Sequence, residues 1–166
     1  MTLPKPIKFR VERYIGGLSQ FKKIDNPIKL SANESALGPS PKAIQAFEND
    51  KNNIFKYPES DSESLREALS EKFNINPKRI ICGAGSDQIF DLTCRLFLKP
   101  KDEVIVTEFG FIMHRIYASL HNAKIVLAKE KNFTASVEEI LKKVTNKTKI
   151  VFIANPNNPT GTYVSK

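Results

Sequence analysis

From residue 78 onward, short apolar runs alternate with longer segments whose apolar positions recur at helical spacing. The runs RIIC, EVIV, KIVLA and KIVFIA have the length and β-branched content of strands. Between them, DQIFDLTCRLFL, FIMHRIYASL and SVEEILKKV carry a helical pattern. Strictly alternating strands and helices predict a mainly parallel sheet with crossover helices, an α/β fold. The strand runs are apolar at successive positions, which predicts helices on both faces of the sheet. In such sheets ligands bind beyond the carboxyl ends of the strands.

Upstream the pattern differs. The first forty residues carry Pro4, Pro6, Gly16, Gly17, Pro27, Gly38 and Pro39 with little periodicity, and predict an irregular arm. Ser40-Pro41 then opens a helix over PKAIQAFEND, because serine caps well and proline suits the first helical position. A loop through Tyr57-Pro58-Glu59 follows. A second helix, SESLREALSEKF, has Leu65, Leu69 and Phe73 at four-residue spacing. There is no internal repeat and no low-complexity tract.

The chain has 166 residues, 40% hydrophobic and 27% charged, an ordinary balance for a globular domain or part of one. Cys82 and Cys94 do not form a C-x-x-C pair and are expected to be reduced, buried thiols. His114 and His121 are the only histidines, so no metal site is expected. The net charge of +8 raises the question of nucleic acid, but the lysines are scattered among acids and no RNA-binding aromatic signature accompanies them. The expectation is a solvated basic surface suited to anionic small molecules, with no nucleic-acid partner. The opening MTLPKPIKFRVERYIGG lacks the apolar core of a signal peptide, and no stretch reaches the roughly 18 apolar residues of a membrane helix. A cytoplasmic protein with no membrane partner is expected.

Two loops carry chemistry. In Gly83-Ala84-Gly85-Ser86-Asp87, between RIIC and the next helix, the glycines permit a tight turn and close approach to a ligand. The amides of Ser86 and Asp87, at a helix N-terminus, would cradle a phosphate. Plain capping, with Asp87 facing the positive helix end, is the simpler alternative. Gly83 and Gly85 also match part of a dinucleotide fingerprint, and Glu108 stands where a ribose-binding acid would, but Gln88 replaces the third small residue. The second loop, Asn155-Pro156-Asn157-Asn158-Pro159-Thr160-Gly161, directly follows KIVFIA. Its prolines restrict the backbone and would hold an amide side chain over the sheet edge.

The string ANPNNPTG resembles the asparagine loop of fold-type I aminotransferases, and GAGSD resembles the phosphate loop of that family. The resemblance covers nearly the whole chain. It implies the N-terminal part of the pyridoxal-5'-phosphate-binding large domain, with Gly85, Ser86 and Asp87 around the cofactor phosphate and Asn158 on the phenolic oxygen of the pyridoxal ring. The family places an aromatic ring after the next strand, stacked on the pyridine; Phe111 is the match and Phe109 the fallback. Within the family, Tyr14-Ile15-Gly16-Gly17, the segment from Asn33-Glu34 to Gly38-Pro39-Ser40-Pro41, and Tyr57-Pro58-Glu59 are similar to motifs of histidinol-phosphate aminotransferases. That likeness implies Tyr57 at a partner subunit's cofactor phosphate across a homodimer interface, and Tyr14 and Asn33 in the substrate pocket. Ser35-Ala36 and His114 depart from the usual pattern, His114 standing where a tyrosine is frequent.

The resemblance implies two segments: residues 1–58, an arm and first helix contacting the small domain or the dimer partner, and residues 59–166, an incomplete cofactor-binding domain. It implies transamination between histidinol phosphate and 2-oxoglutarate, yielding imidazole acetol phosphate and glutamate. The lysine that forms a Schiff base with the cofactor is expected downstream, and Lys166 lacks the serine-rich strand context for that role. The chain is thus expected to be a fragment, inactive alone. The alternatives are an aromatic aminotransferase or threonine-phosphate decarboxylase on the same fold, an NAD-binding oxidoreductase, or a non-catalytic basic binding module.

Overall fold

The structure, a computed structural model, describes residues 11–17 and 28–165. Pro4, Pro6 and Pro27 of the expected arm, and Lys166, lie outside the described residues. The chain divides into two compact units: Gly83–Lys166 with the segment ending at Tyr14, and Ile15–Cys82.

The Ile15–Cys82 unit holds α1 (Pro41–Asp50) and α2 (Glu63–Phe73). Ser40 caps α1 as expected, its Oγ accepting from the Ala43 N–H at 3.2 Å, with Pro41 in the first turn. Helix α2 ends at Asn74, a left-handed cap (φ 53°) whose N–H donates to the Ser70 carbonyl. Arg66 ties the helix down through Asp61 Oδ2 at 3.0 Å and the Pro77 carbonyl at 3.3 Å. Neither helix buries a residue.

The other unit follows as α3 (Gly85–Phe97), β1 (Glu103–Thr107), α4 (Ile112–Leu120), β2 (Lys124–Ala128), β3 (Glu130–Lys131), β4 (Thr134–Ala135), α5 (Val137–Leu141) and β5 (Thr148–Phe152). Strands β2, β1 and β5 form the expected parallel sheet, with β1 central, Val106 opposite Leu127 on one side and Phe152 on the other. Every residue of β1 is buried. Its alternation sends Val104 and Val106 to one face, against Cys94 of α3, Ala118 of α4 and Ile150 of β5. Ile105 points to the other face, against Ala128 and Ile140 of α5. Helices therefore lie on both faces. Full cover is confined to β1, since Leu127 of β2 and Val151 of β5 are 46% and 39% exposed.

The RIIC segment departs from expectation. Ile80 is extended (φ −110°, ψ 127°), yet the segment has no ladder partner among the described residues, and without one an apolar run is not a strand. Also unexpected is the hairpin β3–β4, in which Lys131 faces Thr134 across Asn132 and Phe133. Both turn residues have positive φ, 51° and 58°, the backbone of a type I′ turn. Asparagine accepts that conformation, but phenylalanine seldom does, so the hairpin sent no ordinary signal. Of the segment SVEEILKKV, only Val137–Leu141 is helical.

At the amino edge of the sheet Glu103 is buried and ionised. Its oxygens accept from Thr145 Oγ1 at 2.6 Å and Lys124 Nζ at 2.9 Å, and these contacts, the threonine first, hold its carboxyl below the usual range. Cys94 is fully buried, which pushes its thiol up to about 11, whereas Cys82 is half-buried. No helix among the described residues is long and apolar enough to cross a membrane, and these residues hold no cluster suited to a metal ion.

His114 is the unusual core residue. It is 5% exposed, stacks on Phe152 at 4.8 Å with rings 12° from parallel, and meets the Phe90 ring edge-on at 4.6 Å. Burial lowers its proton affinity below the usual histidine range, with the Asp87 charge opposing. The unfolded chain therefore takes up a proton that the folded His114 resists, and stability present above about pH 6.5 is lost as pH falls. Urea midpoints measured across this window should fall less steeply for His114→Phe than for the parent protein. Ile105→Ala, at the sheet centre, should cost about 2–5 kcal/mol in the same assay.

Candidate functional site

Parallel pairing sets the stage. Because β1 and β5 run the same way, the loops that leave Thr107 and Phe152 emerge at one sheet edge. Asp87, in the first turn of α3, couples to His114 and Tyr117 of α4, which places the start of α3 beside the first turns of α4.

Gly85 adopts φ +77°, a left-handed backbone that requires glycine even though an added Cβ would meet open space. Ahead of it, Gln88 folds back so that Oε1 accepts from the Ala84 N–H at 2.6 Å, and the Gly83 carbonyl accepts from the Gly85 N–H at 2.8 Å. Those bonds close the loop on itself. No side chain caps α3, and the amides of Ser86 and Asp87 find no acceptor among the described residues. The Asp87 carboxylate does not serve as the cap; burial first, and then the charges of Asp87 and Asp91, raise the proton affinity of the Tyr117 hydroxyl. What remains at the helix end is an exposed serine and free N–H groups beside the positive dipole, the chemistry of an anion site.

Phe111 is the N-cap residue of α4, half-buried, with its ring edge-on to Phe90 at 6.4 Å and to His114 at 5.8 Å. Phe109 lies outside this cluster. Its ring is 43% exposed and packs on Phe133 at 5.3 Å, while its N–H donates to Glu130 Oε1 at 3.2 Å. Between them, Gly110 has no room for a side chain, because a Cβ would lie 2.5 Å from Thr107 Oγ1. Phe90, His114 and Phe152 thus fuse α3, α4 and the end of β5 into one aromatic cluster, with Phe111 at its rim.

In the loop after β5, Asn155 binds Val164 in both directions: its Nδ2 donates to the carbonyl at 3.1 Å and its Oδ1 accepts from the N–H at 2.9 Å. The Asn157 N–H donates to the Thr162 carbonyl at 2.7 Å, and the Gly161 N–H, at φ +72°, donates to the Asn157 carbonyl at 2.8 Å. Asn157 is 6% exposed and Asn158 half-buried at the turn these bonds enclose. Asn157 Oδ1 is buried with no partner among the described residues.

The N-terminus of α3, Phe111 and Asn158 belong to one unit, with Phe111 and Asn158 on loops from neighbouring strand ends. Tyr14, 55% exposed, lies in the arm segment of that unit, where Glu12 reaches Arg115 of α4 at 3.6 Å. Tyr57 and Asn33 lie in the other unit; Tyr57 is fully exposed and Asn33 is exposed beside the Lys29–Glu34 ion pair of 2.7 Å. Sequence reasoning missed Glu130 and Phe133 of the hairpin, and the pairing of Asn157 with Thr160. The N-P-T-G string contained Thr160, but nothing in it indicated that the hydroxyl would be buried against an amide.

The family described as aminotransferase class I and II matches residues 25–166. The histidinol-phosphate aminotransferase of Pelagibacter ubique is 57% identical over 166 residues, all of this chain and 46% of its own length. That of Paramagnetospirillum magneticum is 44% identical over 97% of this chain and 44% of its own. The chain thus spans about half the length of these curated relatives. Among solved structures, histidinol-phosphate aminotransferase from Sinorhizobium meliloti in complex with pyridoxal-5'-phosphate superposes with a TM-score of 0.77 at 25% identity, over 80% of this chain and 36% of that one. Alanine aminotransferase from Pyrococcus furiosus gives 0.70 at 25% identity, over 77% and 35%. A parallel sheet between helices, loops that open at its carboxyl edge and a family match over most of the length agree: the chain belongs to the class I and II aminotransferases, with their fold-type I architecture.

Proposed function

We propose that the protein is a cytoplasmic pyridoxal-phosphate-dependent aminotransferase that exchanges an amino group between histidinol phosphate and 2-oxoglutarate. The single observation that carries this reading is that one unit holds an uncapped helix N-terminus, at α3, and a pinned asparagine turn at the carboxyl end of β5. The relatives' names supply the substrate.

In this reading the amides of Ser86 and Asp87, with the Ser86 hydroxyl, hold the cofactor phosphate, and Gly85 provides the turn that exposes them. Phe111 would stack on the pyridine ring, with Phe109 as the alternative, and Asn158 would donate to the ring's phenolic oxygen. Bound there, the cofactor supplies an electron sink for the amino carbon. Tyr14 and Asn33 line the substrate pocket, and Tyr57 reaches the cofactor phosphate of a second copy. No lysine of the described residues is assigned to the cofactor aldehyde. Exposed Leu30, Leu37, Phe47 and Phe55, at 90%, 96%, 71% and 80%, offer the Ile15–Cys82 unit an apolar surface for partners, consistent with a homodimer.

The full-length gene product, mixed with pyridoxal phosphate, should develop the visible absorbance band of bound coenzyme. It should turn over histidinol phosphate in preference to phenylalanine. Asn158→Ala should move the pH midpoint of that band upward and reduce kcat/KM about ten- to a hundredfold, the loss of one charge-assisted hydrogen bond. A protein that binds no coenzyme, or an Asn158→Ala band identical to the parent's, would overturn the assignment.

A further inference from the structure

Within the candidate site, one chain of hydrogen bonds has a direction that chemistry fixes. It begins at the Phe133 carbonyl, which can only accept, so the Thr162 hydroxyl donates to it. That uses the only proton on Thr162 Oγ1. The 2.8 Å bond between Thr162 Oγ1 and Thr160 Oγ1 therefore has Thr160 as donor. With its own proton spent, Thr160 Oγ1 accepts, and Asn157 Nδ2 donates to it at 2.9 Å. The orientation of the Asn157 amide, which electron count alone leaves ambiguous, follows from the two hydroxyls. Its Oδ1 is buried with no partner among the described residues, so the relay holds the amide in an orientation that leaves that acceptor unmet within them.

The far end of the relay is equally constrained. Phe133 sits in the hairpin turn at φ 58°, its ring packed on Phe109. Glu130, at the base of the same hairpin, accepts from the Phe109 N–H. One hairpin thus grips both the segment leading into Phe111 and the turn bearing Asn158.

We propose that Thr160 and Thr162 are positioning residues: they transmit the placement of the Glu130–Ala135 hairpin to Asn157 and so aim the neighbouring Asn158 amide at the coenzyme's phenolic oxygen. This rests on the role given above to Asn158. Neither threonine touches the coenzyme. Each acts by fixing the turn in which Asn158 stands, together with the backbone bonds from Asn157 to Thr162 and from Gly161 to Asn157.

The test uses the full-length gene product loaded with pyridoxal phosphate. An N–H aimed at the phenolic oxygen draws negative charge from it and weakens its hold on a neighbouring proton, so a misdirected Asn158 raises the pH midpoint of the visible band. Thr162→Val and Thr160→Val should each raise that midpoint by about half a unit, in the direction of Asn158→Ala and by less. Thr162→Ser and Thr160→Ser, which keep the hydroxyl, should retain the parent midpoint. Valine variants with the parent midpoint, beside a shifted Asn158→Ala, would overturn the relay and leave the aminotransferase reading standing. Serine variants that shift as far as valine would also overturn it, because methyl packing would then be the cause. An unmoved Asn158→Ala would instead remove the underlying reading. Should Thr162→Val fail to fold, Thr160→Val breaks the same chain one link later.

Discussion

Parallel pairing of β1 with β5 is the constraint from which the candidate site follows. Two strands running the same way must release their next segments at the same edge, and Val106 beside Phe152 sets how close those segments start. The pairing is secured from the other end. Glu103 is a buried carboxylate at the amino edge, tied to Lys124 at the start of β2 and to Thr145 just before β5. A buried charge left unpaired would be costly, so this cluster discourages any slip in the relation between the strands.

Much of this was legible because it depends on local chemistry. Ser40-Pro41 starts α1 where a cap and an N1 proline should, and the runs EVIV, KIVLA and KIVFIA form parallel strands. The loops GAGSD and NPNNPTG stood out because glycine opens conformations closed to other residues and proline restricts them, before any tertiary contact forms. RIIC misled for the opposite reason. Its residues favour a strand, but a strand exists only with a neighbour, and pairing is not a local property. The hairpin was hidden because Phe133 takes a left-handed backbone that its side chain does not advertise.

His114 shows a middle case. Its position was noted as a departure, with a histidine where a tyrosine is frequent. Its place between Phe90 and Phe152 became visible only in three dimensions. A neutral imidazole there behaves as a flat ring, and its burial is compatible with an aromatic core so long as it stays unprotonated. That ring links α3 to β5 behind Phe111, so the same packing that buries a titratable group also supports the candidate stacking residue.

The two halves of the chain differ in how far their own residues satisfy them. The sheet unit buries a core cluster on each face of β1, while α1 and α2 bury nothing and leave Phe47, Leu65 and Phe73 71%, 53% and 57% exposed. Amphipathic helices are held in place chiefly by what their apolar faces pack against, since isolated helices of this length are marginal in water. The apolar positions of α1 and α2 thus carry information about surfaces beyond themselves. The loops of the sheet unit, by contrast, are closed by bonds drawn almost wholly from within it, which is why a binding geometry could be read there at the level of single hydrogen bonds.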